Sequence, residues 1–222
     1  MSKRIVVAID GPAGAGKSTI ARRIAEKLGF LYIDSGAMYR AVALWAIRNG
    51  TSLDDASHLE QLAINANISL SSGQVLLNEE DVSVAIRTPE VSAAASRVAA
   101  IGGVRRALVD KQRTYSETSS VVMEGRDIGS VVFPSAQVKI FLDASASERA
   151  SRRQLETGGD EQDVVSQMTE RDARDRSRAE SPLVQAPDAI YVDSDGKSVD
   201  EVEDEILRII RSRTSNGKEF HR

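Results

Sequence analysis

The stretch Gly11-Pro12-Ala13-Gly14-Ala15-Gly16-Lys17-Ser18 constrains this chain more than any other. It follows a continuous β-branched apolar run at residues 5–9, the pattern of a strand buried on both faces in a parallel sheet. It runs into an amphipathic segment over residues 17–28, with Ile20, Ile24 and Leu28 on one face and Gly29 as the stop. The spacing is G-x-x-x-x-G-K-[ST], set between a strand and a helix as its mechanism requires. Glycines let the backbone wrap closely and aim N–H groups at phosphate oxygens, and the helix N-terminus adds partial positive charge. Lys17 can reach the β- and γ-phosphates of a nucleotide, and the Ser18 hydroxyl can ligate Mg²⁺. A glycine-rich turn that merely precedes a helix requires neither the lysine nor the hydroxyl.

The rest of the chain alternates in the same way. Residues 30–33 give a second strand and residues 36–49 a helix with Met38, Val42 and Trp45 as its stripe. Ser52-Leu53-Asp54-Asp55 reads as a serine cap opening another helix. Residues 68–87 alternate and carry turn signals, which predicts a small antiparallel meander. Thr88-Pro89-Glu90 opens a helix, Gly102-Gly103 is expected to break it, and a further helix is expected over 104–116. Strands follow at 121–123 and 138–142. Ser145 to Glu148 is a capping box before an arginine-rich helix, and residues 161–178 form a long charged one. A last strand at 189–192, a second capping box from Ser198 to Glu201 and a final helix complete the pattern, with a polar, fraying tail expected from Ser212. The fold class is therefore α/β: a parallel sheet flanked by helices on both faces, with the meander inserted. At 222 residues the chain suits one domain with one sizeable core.

Several functions are disfavoured. A net charge of −4 argues against bulk binding to nucleic acid or anionic membrane. No apolar run is long enough for a signal sequence or a membrane span, so a cytoplasmic location is expected. With no cysteine and two histidines, disulfides are excluded and zinc is disfavoured. A switch GTPase needs Asn-Lys-x-Asp, which is absent, and a motor ATPase needs an apolar strand ending in aspartate. The strand at 121–123 ends instead in Glu124-Gly125-Arg126-Asp127. A small-molecule kinase needs a second anion site facing the first and a mobile cover carrying arginines.

Arginines occur where such a site belongs. Arg40 follows Asp34-Ser35-Gly36 and Arg126 follows the third parallel strand, both at carboxyl strand ends, where open α/β sheets bind ligands. Arg149, Arg152 and Arg153 share one helix, and Arg171, Arg174 and Arg178 share one face of the next, with Asp175 beside them. Taken alone, such helical charge mixtures read equally well as solvated faces with weak ion pairs. The acceptor of such a kinase is already anionic, so catalysis needs positioning and charge neutralisation rather than a general base.

With Asp34-Ser-Gly-Ala-Met-Tyr-Arg40, Glu124-Gly-Arg-Asp-Ile-Gly129 and Glu170-Arg-Asp-Ala-Arg-Asp-Arg-Ser-Arg178 beside the cradle, the sequence closely resembles the bacterial cytidylate kinases over residues 5–210. The resemblance implies a P-loop nucleoside monophosphate kinase fold with an enlarged monophosphate-binding insert at 68–100 and a short helical lid at 149–163. It implies transfer of the γ-phosphoryl of ATP, with Mg²⁺, to CMP or dCMP in pyrimidine nucleotide metabolism. ATP is expected on Gly11, Pro12, Ala13, Gly14, Ala15, Gly16, Lys17, Ser18 and Thr19. By the same resemblance Ser35, Ser96, Arg105 and Asp127 contact the cytosine side, and Arg40, Arg126 and Arg178 the acceptor phosphate. Arg171 and Asp175 contact the sugar, and Arg152 is a lid arginine near the transferred phosphoryl, so that Lys17, Arg126, Arg152 and Arg178 carry the catalysis. Glu124 stands where an aspartate can occur, and residues 154–163 are shorter and more acidic than the family pattern. A monomer is expected. The alternatives are a UMP/CMP-dual or other small-molecule kinase, and a non-catalytic nucleotide-responsive binding protein, which would lack the second anion site.

Overall fold

The computed structural model describes residues 4–71, 73–158 and 160–214. Five strands form a parallel sheet: β1 (Val6–Asp10), β2 (Leu31–Asp34), β6 (Val121–Gly125), β7 (Val138–Asp143) and β8 (Ile190–Asp193). Their spatial order is β2-β6-β1-β7-β8, with every neighbouring pair parallel. Alternation along each strand divides the apolar side chains between two faces. Val7, Ile9, Val122 and Ile140 pack with α1 (Lys17–Leu28) and α8 (Val199–Thr214). Ala8, Ile33 and Met123 pack on the other face with α2 (Ser35–Arg48), α4 (Pro89–Val98) and α5 (Gly102–Thr118). The fold is the α/β arrangement expected, with β1 at the switch point where ligands bind in such sheets.

The meander is a separate three-stranded antiparallel sheet of β3 (Ile68–Ser71), β4 (Gln74–Leu77) and β5 (Glu80–Asp81). Its last residues differ from the expected alternation, because Ala85–Arg87 form a turn of 3-10 helix leading into α4. Thr88 caps α4 as expected, its side chain accepting from the Val91 N–H at 3.3 Å. The helix expected from the Ser52 cap starts later. The Asp55 side chain caps α3 (Ala56–Asn65), while the Ser52 Oγ accepts from the Asp54 N–H in a local turn.

Gly102-Gly103 does not break a helix but opens α5. Neither glycine takes a positive φ, so the backbone stays in the range a helix can use, and the Arg105 N–H donates back to the Ile101 carbonyl at 3.0 Å. Helix α6 (Ala146–Thr157) and helix α7 (Glu161–Ser177) pack together as a hairpin, joined to the cradle by a small cluster of Ala13, Ala150, Val164 and Met168. Helix α8 extends through Thr214, so Ser212 is helical; the rest of the expected tail lies outside the described residues. Among the described residues, no helix is long and apolar enough to cross a membrane.

Candidate active site

The cradle begins where β1 ends. Gly11 has φ 151°, and a Cβ there would run into the Leu142 carbonyl of β7, so only glycine lets the loop leave the sheet at this point. Gly16 precedes α1 with φ 86°, and no side chain caps that helix, leaving its N-terminal N–H groups for a phosphate. Lys17 folds back to donate to the Pro12 carbonyl oxygen at 2.6 Å. Burial, and then the charge of Arg126, push the Lys17 ammonium down to about 7. The lysine of the cradle and an arginine at the end of another strand therefore lie close enough to repel each other.

At the end of β2, Asp34 accepts from the Ala37 N–H at 2.9 Å and from Arg40 at 2.7 Å. One carboxylate thus caps α2 and orients the arginine one turn on. Burial would raise the Asp34 carboxyl, but Arg40 and the Ala37 N–H hold it below its usual value. The Ser35 hydroxyl donates to the Glu124 carbonyl at 2.6 Å, tying β2 to β6. Glu124 is buried, accepts from the Tyr32 hydroxyl at 2.7 Å and is hydrogen-bonded to Ser18 of the cradle. Burial pushes its carboxyl above the ordinary value, with Asp34 adding to the effect.

Beyond β6, Arg126 donates to Asp175 of α7 at 2.9 Å, and Arg178 pairs with the other oxygen of the same carboxylate. Burial alone would raise the Asp175 carboxyl, but Arg126, Arg178 and Arg171 hold it below its usual value. Asp127 pairs with Arg105, which also donates to the Ala99 carbonyl at 3.1 Å and lies over the Tyr39 ring. Ser96 accepts from Arg174 at 2.8 Å. Arg171 is nearly buried, its Nε without a hydrogen-bond partner in the protein, and burial with the neighbouring Arg126 pushes it down to about 9.

These groups face one another across a cleft of about 460 Å³. Ser35, Arg40, Ser96, Arg105, Arg126 and Asp127 line it, as do Arg171, Asp175 and Arg178 and, from the cradle, Ala13, Gly14, Gly16, Lys17, Ser18 and Thr19. Gly11, Pro12 and Ala15 are buried and do not line it. Arg152 is not part of the lining. It is held by the Ser194 hydroxyl at 2.9 Å, the Ser194 carbonyl at 2.8 Å and Glu148 at 2.9 Å, although its Nη1 stays beside Gly16. Arg153, the next residue on α6, lines the cleft instead, as does Arg87 of the 3-10 turn before α4. Nothing in the sequence pattern separated Arg153 from Arg152. Arg87 had a signal, since it sits directly before the Thr88-Pro89 cap. In all, eight cationic side chains line the cleft against five acidic ones, a local positive excess in a chain of net charge −4. Such a cleft concentrates polyanions.

A glycine cradle at the switch point of a parallel sheet, faced across one cleft by an arginine-lined wall, is the arrangement of a P-loop small-molecule kinase. The profile of the cytidylate kinase family matches residues 7–212, and the chain belongs to that family. It is 59% identical over 225 residues to a cytidylate kinase of Solibacter usitatus, covering 98% of this chain and 97% of that one. It is 47% identical over 231 residues to a bifunctional pantoate ligase/cytidylate kinase of Synechococcus sp. (strain JA-3-3Ab), and spans 99% of itself but 43% of that protein. Among solved structures, a gluconokinase from Sinorhizobium meliloti shares the fold, with a TM-score of 0.51 at 16% identity over 96% of this chain and 95% of the other. The enzyme is an ATP-dependent nucleoside monophosphate kinase that phosphorylates CMP or dCMP.

Proposed function

We propose that the cleft brings two polyanions together with the roles divided between its two walls. The triphosphate of ATP lies on residues 11–19, with Lys17 on the β- and γ-phosphates. The acceptor phosphate lies on Arg40, Arg126 and Arg178, the sugar against Arg171 and Asp175, and the cytosine against Ser35, Ser96, Arg105 and Asp127. Cytosine offers an exocyclic amine that a carboxylate such as Asp127 can accept from, whereas uracil offers a carbonyl there. The observation that carries the reading is geometric: Lys17 and Ser18 of the cradle line one cleft with Arg40, Arg126 and Arg178 of the facing wall. Cations facing one another in this way are stabilised when a polyanion enters between them.

Mg²⁺ suits the hard oxygens at this place: the Ser18 hydroxyl and, hydrogen-bonded to it, the Glu124 carboxylate. Mg²⁺ usually keeps several waters and is held by one or two protein oxygens together with substrate phosphates. When bound it neutralises charge on the transferring phosphates. The CMP phosphate is itself the nucleophile, so the protein's work is to hold it in line and to keep water out. Residues 68–100 serve as the acceptor-binding insert and residues 149–163 as the lid. Arg152 meets the transferring group once lid movement frees it from Ser194. We also propose a working monomer and a cytoplasmic location.

A coupled ADP-release assay with ATP, Mg²⁺ and each monophosphate tests the reading. CMP and dCMP should be consumed well ahead of AMP and GMP. Equal turnover of UMP would make it a UMP/CMP-dual enzyme, and no turnover of any monophosphate would leave a nucleotide-binding protein without transferase activity.

A further inference from the structure

Asp10 ends β1 immediately before the cradle, is buried, and has no part in the roles above. Its two carboxylate oxygens accept separate backbone N–H groups on a neighbouring strand's exit loop: Oδ1 from Ile128 at 2.8 Å and Oδ2 from Gly129 at 2.7 Å. These two residues directly follow Arg126 and Asp127 and begin a single turn of π-helix, Ile128–Val132, a form that recurs at functional sites. Asp127 occupies the position from which a side chain ordinarily caps such a turn, yet its own carboxylate makes no cap. It points to Arg105 in the cleft instead.

We infer that Asp10 is a positioning residue that caps the π-turn from the adjacent strand, so that the Asp127 carboxylate is not drawn into capping and stays in the cleft beside Arg105, to face the base of the acceptor nucleotide. The inference rests on the proposed base-reading role of Asp127. It couples the two walls of the cleft mechanically: the residue that launches the cradle also fixes the loop that carries Arg126 and Asp127. Only a carboxylate can accept at both oxygens. An amide of the same shape offers one acceptor and turns an N–H₂ toward the second backbone N–H.

The experiment compares Asp10→Asn and Asp127→Ala with the unaltered enzyme, using kcat and KM for CMP and UMP and the dissociation constant of an ATP analogue. With one buried donor left facing another, Asp10→Asn should lower kcat/KM for CMP by roughly tenfold or more. The CMP:UMP ratio should narrow in the same sense as in Asp127→Ala, while affinity for the ATP analogue stays within about twofold. A parallel fall for CMP and UMP in Asp10→Asn, when Asp127→Ala does narrow the ratio, overturns the inference. So does an equal loss of affinity for the ATP analogue, which marks a merely structural residue. If Asp127→Ala leaves the ratio unchanged, the base-reading role has failed, and amide exchange then decides for Asp10. That measurement needs no variant, and so also covers an Asp10→Asn protein that does not fold. In the unaltered enzyme the Ile128 and Gly129 amides should exchange as slowly as those of β1. Exchange at the rate of open loop amides shows that the cap does not hold and overturns the inference.

Discussion

The two walls of the cleft are built by opposite means. The donor wall is contiguous: residues 11–19 come from one loop and the first turn of one helix, and backbone conformation does most of the shaping. The proposed acceptor wall draws on the end of β2, on α2, α4 and α5, on the loop after β6 and on α7, and it is made of side chains that hold one another through shared carboxylates. A backbone-made site is rigid before its ligand arrives. An arginine cluster would repel itself apart without Asp34, Asp127 and Asp175, so Arg40, Arg105, Arg126 and Arg178 are pre-paired and have their directions set in advance. The difference implies that the donor wall fails through loss of one charge or one glycine, and the acceptor wall through loss of a bridging acid.

The largest effect should come from Lys17→Ala, which removes the one cationic side chain within residues 11–19, proposed to meet the β- and γ-phosphates. It should lower kcat by roughly 10²–10³, with the thermal midpoint little changed, checked by steady-state kinetics beside calorimetry. Wild-type turnover in a folded Lys17→Ala protein would break the comparison at its first term. Gly11→Ala attacks the same wall through the backbone, forcing β1 and β7 apart. A loss of roughly 3 kcal/mol in denaturant unfolding is expected. A variant as stable as the parent would mean that the loop relaxes and that the close approach to Leu142 is not needed.

On the acceptor wall, Asp175→Asn leaves one oxygen to serve both Arg126 and Arg178. It should raise KM for CMP roughly tenfold while leaving KM for ATP within about twofold. An equal rise in both would show that the walls are not independent. The smallest effect belongs to Ser198→Ala, outside both walls. Ser198 and Glu201 cap α8 reciprocally, the Ser198 N–H donating to the Glu201 carboxylate at 2.8 Å and the Ser198 Oγ accepting from the Glu201 N–H at 3.3 Å. Its loss should cost about 1 kcal/mol of stability and leave both KM values unchanged.

How much of this could be read from the chain follows the same division. The Ser198 box closes in both directions as its four residues suggest. The Ser145 box closes in one, because Glu148 turns to Arg152 and the Ser145 N–H goes to Asp195 instead. The missed α3 start is a contest between Ser52 and Asp55 within one turn, which residue type alone does not settle. Arg152 and Arg153 are adjacent arginines on one helix. Their roles separate only because Ser194, some forty residues on, takes hold of the first.

The sequence by itself determined what lies within a dozen residues: the buried strands, the cradle with its lysine, and the Thr88 and Ser198 caps. Apolar periodicity and glycine backbone freedom are local properties, and they act before the chain has any tertiary neighbours. Tertiary structure decided the partners. Asp10 meets Ile128 and Gly129 across 118 and 119 residues because β6 lies beside β1 in the sheet. Arg126 meets Asp175 across 49 because α7 folds over the ends of the strands. No local pattern specifies such pairs, since an acid in one element can neutralise any arginine that the strand order brings within reach.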